Sequence, residues 1–282
     1  MQELDEFINQ VKQLPPAPKV LPELLALLNR PNIDASKVVK LIGYDPGLCV
    51  AVLQATNSAF FATGSPTADI QEAVQRLGFA QIYQIVCAVT GGKSLAPAQQ
   101  GYGIDRGELW KHSVTAAVAA QLIARKKGDD ENTVFTATLL HDIGKIVLSE
   151  ALTTKYDRVI EEVEKNQRSL QEAEKKLLGV EHAEIGGRLL ARWKFPSNVV
   201  AAVWFHHNPK AAAPCEKLAA YVYLGDLVAH FMGHGFGHAA FAMKGRSEAL
   251  AILDLEPDAI PLLMIETFQK METVNALFAL AA

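Results

Sequence analysis

The segment LLHDIGKIVL, residues 139–148, places three polar side chains inside an otherwise aliphatic run. They are His141, Asp142 and Lys145. A run of this composition is usually buried, and burying a charged group is costly unless the group is paired, hydrogen-bonded or bound to a metal ion. The segment therefore predicts a buried polar site, and partners for these side chains have to come from elsewhere in the chain.

The rest of the sequence indicates a helical fold. Half of the 282 residues are hydrophobic, and they recur at the three- and four-residue spacing of amphipathic α-helices, with no convincing alternating strand and no short repeat. The segment APAQQGYG, residues 96–103, is polar and rich in Pro and Gly, which is typical of a boundary. We therefore predict an all-α protein with an N-terminal helical lobe, residues 1–95, and a second helical lobe, residues 104–282.

Helix-start and helix-stop signals divide the two lobes further. In the first lobe we expect a helix over Glu3–Gln13, N-caps at Asp34 or Ser36 and at Asp45, and two helical segments on either side of Gly78. In the second lobe helices are expected over about 106–126, 131–150, 154–165 and 169–178, from Glu181, from Pro196 to about His207, and over 216–231 and 258–280.

The overall charge and the cysteines exclude some classes of protein. The formal net charge is −4 at pH 7, which gives no general attraction to nucleic acid or anionic lipid. The cysteines, Cys49, Cys87 and Cys215, lie far apart in or beside apolar runs, and we expect free thiols of a reducing compartment. The acidic N-terminus does not resemble a signal peptide, and no uncharged apolar run approaches the roughly 20 residues of a membrane span. We therefore expect a cytoplasmic protein that binds neither nucleic acid nor a membrane.

Further histidines and carboxylates can serve as partners for the central segment. Imidazole and carboxylate ligands without thiolates suit one or two divalent ions such as Fe, Mn, Zn or Ni. Asp142 can bridge two such ions, which activate a water for attack on a phosphoester, and Lys145 can hold a phosphate oxygen. In chain order, the candidate metal ligands are Glu108, His112, His141, Asp142, His182, His206, His207 and Asp226.

Each of these side chains also has a purely structural explanation. A single histidine on an apolar helix is commonly a hydrogen-bonded core residue, and Asp142 can pair with Lys145 or Arg188. The charged stretch 156–176 is typical of a solvated helix face, and no function is assigned to it. A second histidine cluster contains glycines, which disfavour a helix, so that a loop or a helix end is expected there rather than a metal site; its members are His230, His234 and His238.

Several segments resemble the HDOD family, the HD-related output domain of bacterial signalling proteins, within the HD superfamily of metal-dependent phosphohydrolases. The first lobe contributes LPPAPKVLPELLALL, LIGYDPGLCVAVLQATNSAFF and IQEAVQRLGFAQIYQIV, and the second contributes WKHSV, LLHDIGKIVL, EHAEIGGRLLARWKFP and HHNP. The resemblance covers about residues 7–230. It implies an all-helical fold with an N-terminal helical lobe packed on an HD-like helical bundle, and a regulatory role.

The resemblance also bears on the ligand set. Many HDOD members have lost the HD metal ligands, whereas this chain retains them, as do the HD-GYP phosphodiesterases that cleave cyclic di-GMP. The resemblance places the metal-ligand positions of those enzymes at all eight candidate residues and their lysine at Lys145. The chain has NPKAAAP where the Gly-Tyr-Pro segment is expected.

Three hypotheses follow for the function. The first is a signalling protein that binds one or two metal ions in an HD-like site and acts through a protein partner, with little or no catalysis. The second is an active phosphohydrolase on a nucleotide or cyclic dinucleotide, in which Lys145 and Asp142 take part in the chemistry, with Arg188 and Arg192 as candidate anion contacts. The third is a metal-free scaffold whose histidines belong to a polar core.

Overall fold

Helices make up nearly all of the regular structure in this computed structural model, which describes residues 8, 20–58, 61, 66–166, 168–235 and 245–278. The described residues contain no strand, in agreement with the predicted all-α class. The helix expected over Glu3–Gln13 lies outside them apart from Ile8, and so does His238. The chain divides into two compact units, one comprising Met1–Pro16 and Ser94–Phe268 and the other Ala17–Lys93 and Gln269–Ala282.

The smaller unit begins with four helices that follow their local capping signals. The Asp34 carboxylate accepts hydrogen bonds from two backbone N–H groups at the start of the second helix, and Asp45 does the same for the third, so both expected caps are confirmed. Gly78, with φ of +76°, interrupts the fourth helix as expected. We name these helices α1 (Val20–Leu28), α2 (Ala35–Gly43), α3 (Pro46–Thr56) and α4 (Ile70–Leu95), the last of which runs on into the larger unit.

The cysteines and the helix lengths agree with the sequence. All three cysteines are free thiols; Cys87 is buried, and Cys49 and Cys215 are partly buried. Among the described residues, no single helix combines the length and the apolar character needed to cross a membrane, and the pair α2 and α3, bent by 115°, meets that test by length and composition only.

The larger unit holds most of the polar residues singled out above. Its helices are α5 (Glu108–Lys127), α6 (Glu131–Leu139), α7 (Ile143–Leu152), α8 (Tyr156–Ile160), α9 (Leu170–Leu178), α10 (His182–Arg192), α11 (Ser197–Trp204), α12 (Glu216–Ala229), α13 (Arg246–Ile252) and α14 (Ala259–Phe278), which runs on into the smaller unit. Short 3-10 turns occur at Gln100–Tyr102 and Pro209–Ala212, and π-helical turns at Glu161–Lys165 and His230–His234.

Small residues bring α5 and α12 close together. Ala120 and Ala124 of α5 pack in one buried cluster with Leu224 of α12. A Cβ at Gly225 would lie only 2.5 Å from the backbone oxygen of Ala116, so glycine is required for this close approach. The polar residues on the facing sides of these two helices are therefore brought within contact distance.

The prediction of one continuous helix over 131–150 is wrong, because the structure has two helices there, α6 and α7. The chain leaves the helical conformation at Leu140–Asp142, where the His141 ring nitrogen Nδ1 takes the Thr138 carbonyl that a continuing helix would use. Likewise α11 ends at Trp204 rather than near His207. The pairs His141-Asp142 and His206-His207 thus lie at or just after helix ends, where their side chains can turn toward the interior.

Glycine also sets the packing of α7 against α10. A Cβ at Gly144 would overlap the carbonyl oxygen of His182, the first residue of α10. Ile143 and Val147 share an apolar cluster with Ile185, and burying each such side chain contributes about 1.5–3 kcal/mol. Close packing of these two helices places the first residue of α10 beside the His141-Asp142 pair.

Candidate metal centre

The structure brings seven of the eight candidate ligands to one place in the larger unit. They come from separate parts of the sequence: the first turns of α5, the α6–α7 break, the start of α10, the segment after α11, and the last turn of α12. Except for His207, which is half-buried, they are at most 3% exposed. The converging residues are His112, His141, Asp142, His182, His206, His207 and Asp226.

Asp226 lies between two imidazole rings. Its Oδ1 atom is 3.1 Å from Nε2 of His112 and 3.6 Å from Nε2 of His141. The two Nε2 atoms are themselves 3.4 Å apart. These three residues form one compact group of donor atoms, all within 4.8 Å of one another.

Asp142 contacts residues on both sides of the cluster. Its Oδ2 atom is 3.5 Å from Nε2 of both His112 and His141, and it accepts a hydrogen bond of 2.6 Å from the Lys145 ammonium group. Its Oδ1 atom is 3.4 Å from Nε2 of His182. The carboxylate therefore has one oxygen toward each of two groups of histidines, as a bridging ligand requires.

The second group of donors lies around His182. Nε2 of His182 is 2.9 Å from Nε2 of His207. His206 completes this group, and it also belongs to a third group with His141 and Asp142. The buried Nε2 atom of His206 makes no hydrogen bond to the described residues. A buried nitrogen without a partner is uncommon in a folded protein and indicates a missing ligand.

Backbone carbonyl groups fix the tautomers of three of the histidines. Nδ1 of His112 lies 2.9 Å from the oxygen of His234, Nδ1 of His141 lies 2.6 Å from that of Thr138, and Nδ1 of His206 lies 2.7 Å from that of Val203. A carbonyl oxygen only accepts hydrogen bonds, so each Nδ1 must donate. In the neutral ring the lone pair is then on Nε2, which points into the cluster.

The buried carboxylates and ring nitrogens of the cluster are stabilised by positive charge between them. Burial alone would raise the pKa of Asp142, but His141 and Lys145 outweigh it and hold that pKa well below its ordinary value. Burial opposes protonation of His141, yet the charges of Asp142 and Asp226 raise its pKa. Burial, together with the neighbouring His141 and His182, lowers the pKa of His206 to about 3. Carboxylates and nitrogen lone pairs therefore converge, and either protons or a cation must lie between them.

A buried glutamate supports His182 from outside the cluster. The Glu174 carboxylate accepts hydrogen bonds from Nδ1 of His182 at 2.8 Å, from the backbone N–H of His182 at 2.8 Å, and from the Tyr102 hydroxyl at 2.7 Å. Tyr102 belongs to the 3-10 turn that precedes α5, where the N–H of Gly101 donates to the Ser149 hydroxyl at 3.0 Å. The interpretation of residues 156–176 as a solvated face is therefore wrong for Glu174, which is fully buried.

The other candidate residues occupy different positions. Glu108 is exposed in the first turn of α5, and the structure does not bring it into the groups described above. Arg188 is half-buried and Arg192 exposed on α10. His230, for which the sequence predicts a loop or helix end rather than a metal site, lies beside Asp226, with its Nε2 atom 3.3 Å from Oδ1. Its position four residues after Asp226 on one helix face was the signal that could have revealed it.

The donor set fits a divalent cation of the borderline class. Imidazole nitrogens and carboxylate oxygens suit Fe, Mn, Zn or Ni. The rings of His112, His141 and His182 are held through Nδ1 by carbonyl or carboxylate oxygens, which is the usual support of metal-bound histidines. His206 Nε2 supplies a buried atom without a hydrogen bond. The residues present therefore meet the requirements of an HD-type metal site.

Comparison with known proteins assigns the family. The sequence matches the HDOD domain over residues 14–209. The chain belongs to the HDOD family. An uncharacterized protein of Treponema pallidum (strain Nichols) is 27% identical over 227 residues, which make up 79% of this chain and 44% of the relative. The HDOD chain thus spans less than half the length of that relative.

Solved structures share the fold. An HDOD domain protein of unknown function from Geobacter sulfurreducens has a TM-score of 0.74 and 23% identity, with 99% of this chain and 96% of that chain covered. A protein from Shewanella amazonensis SB2B, provisionally assigned as a phosphohydrolase, has a TM-score of 0.73 and 23% identity, with 99% and 98% covered. At this identity the likeness establishes the helical HDOD fold, and the resemblance seen in the motifs is confirmed.

Proposed function

We propose that this HDOD protein binds one or two divalent metal ions in the larger unit and acts as a regulatory output protein that contacts a signalling partner. The observation that carries the metal proposal is the orientation of the histidine rings. Three of them turn an Nε2 lone pair toward two buried carboxylates, while their Nδ1 atoms donate to backbone oxygens. Such an arrangement is unfavourable without a cation or bound protons at its centre.

The donors suggest two neighbouring positions. His112, His141 and Asp226 would hold one ion, and His182, His206 and His207 would hold the other, with Asp142 between the two groups. A bound ion of this class supplies Lewis acidity and compensates the buried carboxylates. Lys145 contributes one positive charge of its own, because its ammonium group donates to Oδ2 of Asp142.

Two observations support a regulatory rather than a catalytic role. Six of the seven converging ligands are at most 3% exposed, so that they favour tight retention of an ion. The segment NPKAAAP replaces the Gly-Tyr-Pro segment that the cyclic di-GMP phosphodiesterases carry. The partner would be a signalling protein, as the family resemblance implies.

The metal proposal is tested by the metal content of protein purified without chelator. We expect about one or two equivalents of Fe, Mn, Zn or Ni in the wild-type protein and much less in His206→Gln and in the double variant His141→Ala/Asp142→Ala. Asp258→Asn, on the exposed surface, is the matched control and should keep the wild-type content. Near-zero metal in all four proteins would refute the proposal and favour the metal-free scaffold.

A second candidate function is hydrolysis of a phosphoester in a nucleotide or cyclic dinucleotide. The observation in its favour is the position of Lys145. This residue is only 4% exposed, and its ammonium group lies 2.6 Å from Oδ2 of Asp142. In that position the ammonium group can steady a phosphate oxygen as well as Asp142. Turnover of bis(p-nitrophenyl) phosphate or of cyclic dinucleotides by Mn- or Fe-loaded protein, abolished in Lys145→Gln, would support this function; absence of turnover in loaded wild-type protein would refute it.

A further inference from the structure

His230, whose side chain is 8% exposed, lies beside the candidate centre and is not part of the HD motifs. Its ring follows Asp226 by four residues, and its Nε2 atom faces Oδ1 of that carboxylate at 3.3 Å. We propose that His230 is an additional protein donor to the cation held by His112, His141 and Asp226. This inference rests on the proposed metal-binding function and extends it to a residue outside the HD motifs.

The geometry around Asp226 is the first argument. Its Oδ1 atom is approached by Nε2 of His112 at 3.1 Å, of His230 at 3.3 Å and of His141 at 3.6 Å. The His112 and His230 rings are tilted to each other, with centroids 5.0 Å apart. Three imidazole nitrogens around one carboxylate oxygen form a nitrogen-rich environment that suits a divalent ion of the Zn, Fe, Co or Ni type.

The local backbone is the second argument, because it is shaped around this ring. After α12 the chain forms the π-helical turn His230–His234, in which Gly233 has φ of +80°. The carbonyl oxygen at the end of this turn accepts the hydrogen bond from Nδ1 of His112. A Cβ at Gly235 would overlap Nδ1 of His230, so any other residue there would displace the ring. π-helical turns of this kind occur frequently at functional sites.

Burial is the third argument. The His230 side chain is 8% exposed, and the ring nitrogen that faces Asp226 is Nε2. A simple hydrogen bond from Nε2 of His230 to Asp226 predicts a role in stability alone. A metal donor predicts, in addition, that removal of the ring changes metal affinity and the ligand field of the bound ion. The two explanations therefore differ in a measurable property.

The test uses the full chain loaded with Co²⁺, whose visible absorption depends on the donor set. His230→Gln should bind Co²⁺ at least about tenfold more weakly than the wild-type protein and show an altered spectrum. Phe231→Leu is the matched control, because that side chain lies on the same turn and is exposed. It should keep the wild-type affinity and spectrum.

His230→Glu completes the design by replacing the nitrogen donor with an oxygen donor. We expect it to regain much of the affinity and to shift the metal preference from Co²⁺ toward Mn²⁺. Wild-type affinity and spectrum in His230→Gln, or no recovery and no shift of preference in His230→Glu, would overturn the inference. If His230→Gln does not fold, the preference of His230→Glu decides alone. A wild-type protein that binds no metal would instead refute the proposed function itself.

Discussion

Replacing Glu174 by glutamine should weaken metal binding although Glu174 is not itself a candidate ligand. The carboxylate is fully buried and accepts three hydrogen bonds, two from His182 and one from Tyr102. Glutamine has the same shape, but it lacks the charge, and one end of its side chain donates instead of accepting. In the wild-type protein the carboxylate fixes the His182 ring and raises the basicity of its Nε2 atom. The glutamine variant therefore loses part of this support.

The expected magnitude follows from this arrangement. Loss of a partner that orients a metal-bound histidine typically lowers metal affinity about 10- to 100-fold, or about 1.4–2.7 kcal/mol. Mispaired buried groups should also lower the free energy of unfolding by about 1–3 kcal/mol. Tyr102→Phe removes only the hydroxyl group, so we expect a loss of affinity of a few-fold at most in that variant.

Competition with a chromophoric chelator measures the affinity directly. Glu174 also raises the pKa of His182 against the opposing effect of burial, so the comparison belongs at alkaline pH, where protons compete least. Glu184→Gln is the matched control, since Glu184 lies on α10 with His182 but pairs with Lys175 at the surface. A folded Glu174→Gln protein whose affinity equals that of the control would refute this account of the support.

Three further predictions concern protons, packing and the exposed glutamate. Near neutral pH, His141 and His182 should be partly protonated without metal, because their pKa values are raised above the ordinary 6.5. Metal affinity should therefore rise with pH, and titration calorimetry in buffers of different ionisation enthalpy should detect proton release on metal binding. Absence of proton release would contradict the assignment. Gly144→Ala should lower the free energy of unfolding in urea by about 1–3 kcal/mol, because its Cβ would meet α10. Gly43→Ala should raise it by up to about 1 kcal/mol, because a Cβ at Gly43 meets nothing within 4 Å. Equal effects of the two substitutions would be inconsistent with this packing. Glu108→Gln should leave the metal content unchanged, because Glu108 is exposed; a loss of metal there would add it to the ligand set.

The sequence predicted the helical class and much of the local structure for physical reasons that act over short distances. Asp34 and Asp45 cap helices by hydrogen bonds to residues two and three positions ahead, and a positive φ at Gly78 interrupts a helix. Such signals can be recognised without knowledge of the tertiary fold. The histidines of the candidate centre could be predicted as a set because polar residues recur in otherwise apolar segments.

The sequence did not predict features that depend on tertiary contacts. The stretch 156–176 is charged throughout, and nothing local distinguishes Glu174 from its neighbours. Its burial follows from Gly179, whose φ of +79° ends α9 and turns the chain back, so that the start of α10 meets the carboxylate. The break at 140–142 was missed for a similar reason, since the ring of His141 replaces a backbone donor at the Thr138 carbonyl. Propensity alone favours a continuous helix there.

The 3-10 turn at Gln100–Tyr102 makes the candidate centre of this chain depend on the segment that precedes α5. Gly101 is packed against α7 so closely that a Cβ would overlap the Ser149 carbonyl, and the next residue, Tyr102, donates to the glutamate behind His182. The segment that leads from the smaller unit into the larger one is therefore part of the support of the candidate centre. Exchange of residues 1–103 for those of another HDOD protein would therefore change metal affinity while every ligand remained the same. A shortened chain that begins at residue 104 would lose the same hydrogen bond, so it would not reproduce the properties of the whole protein.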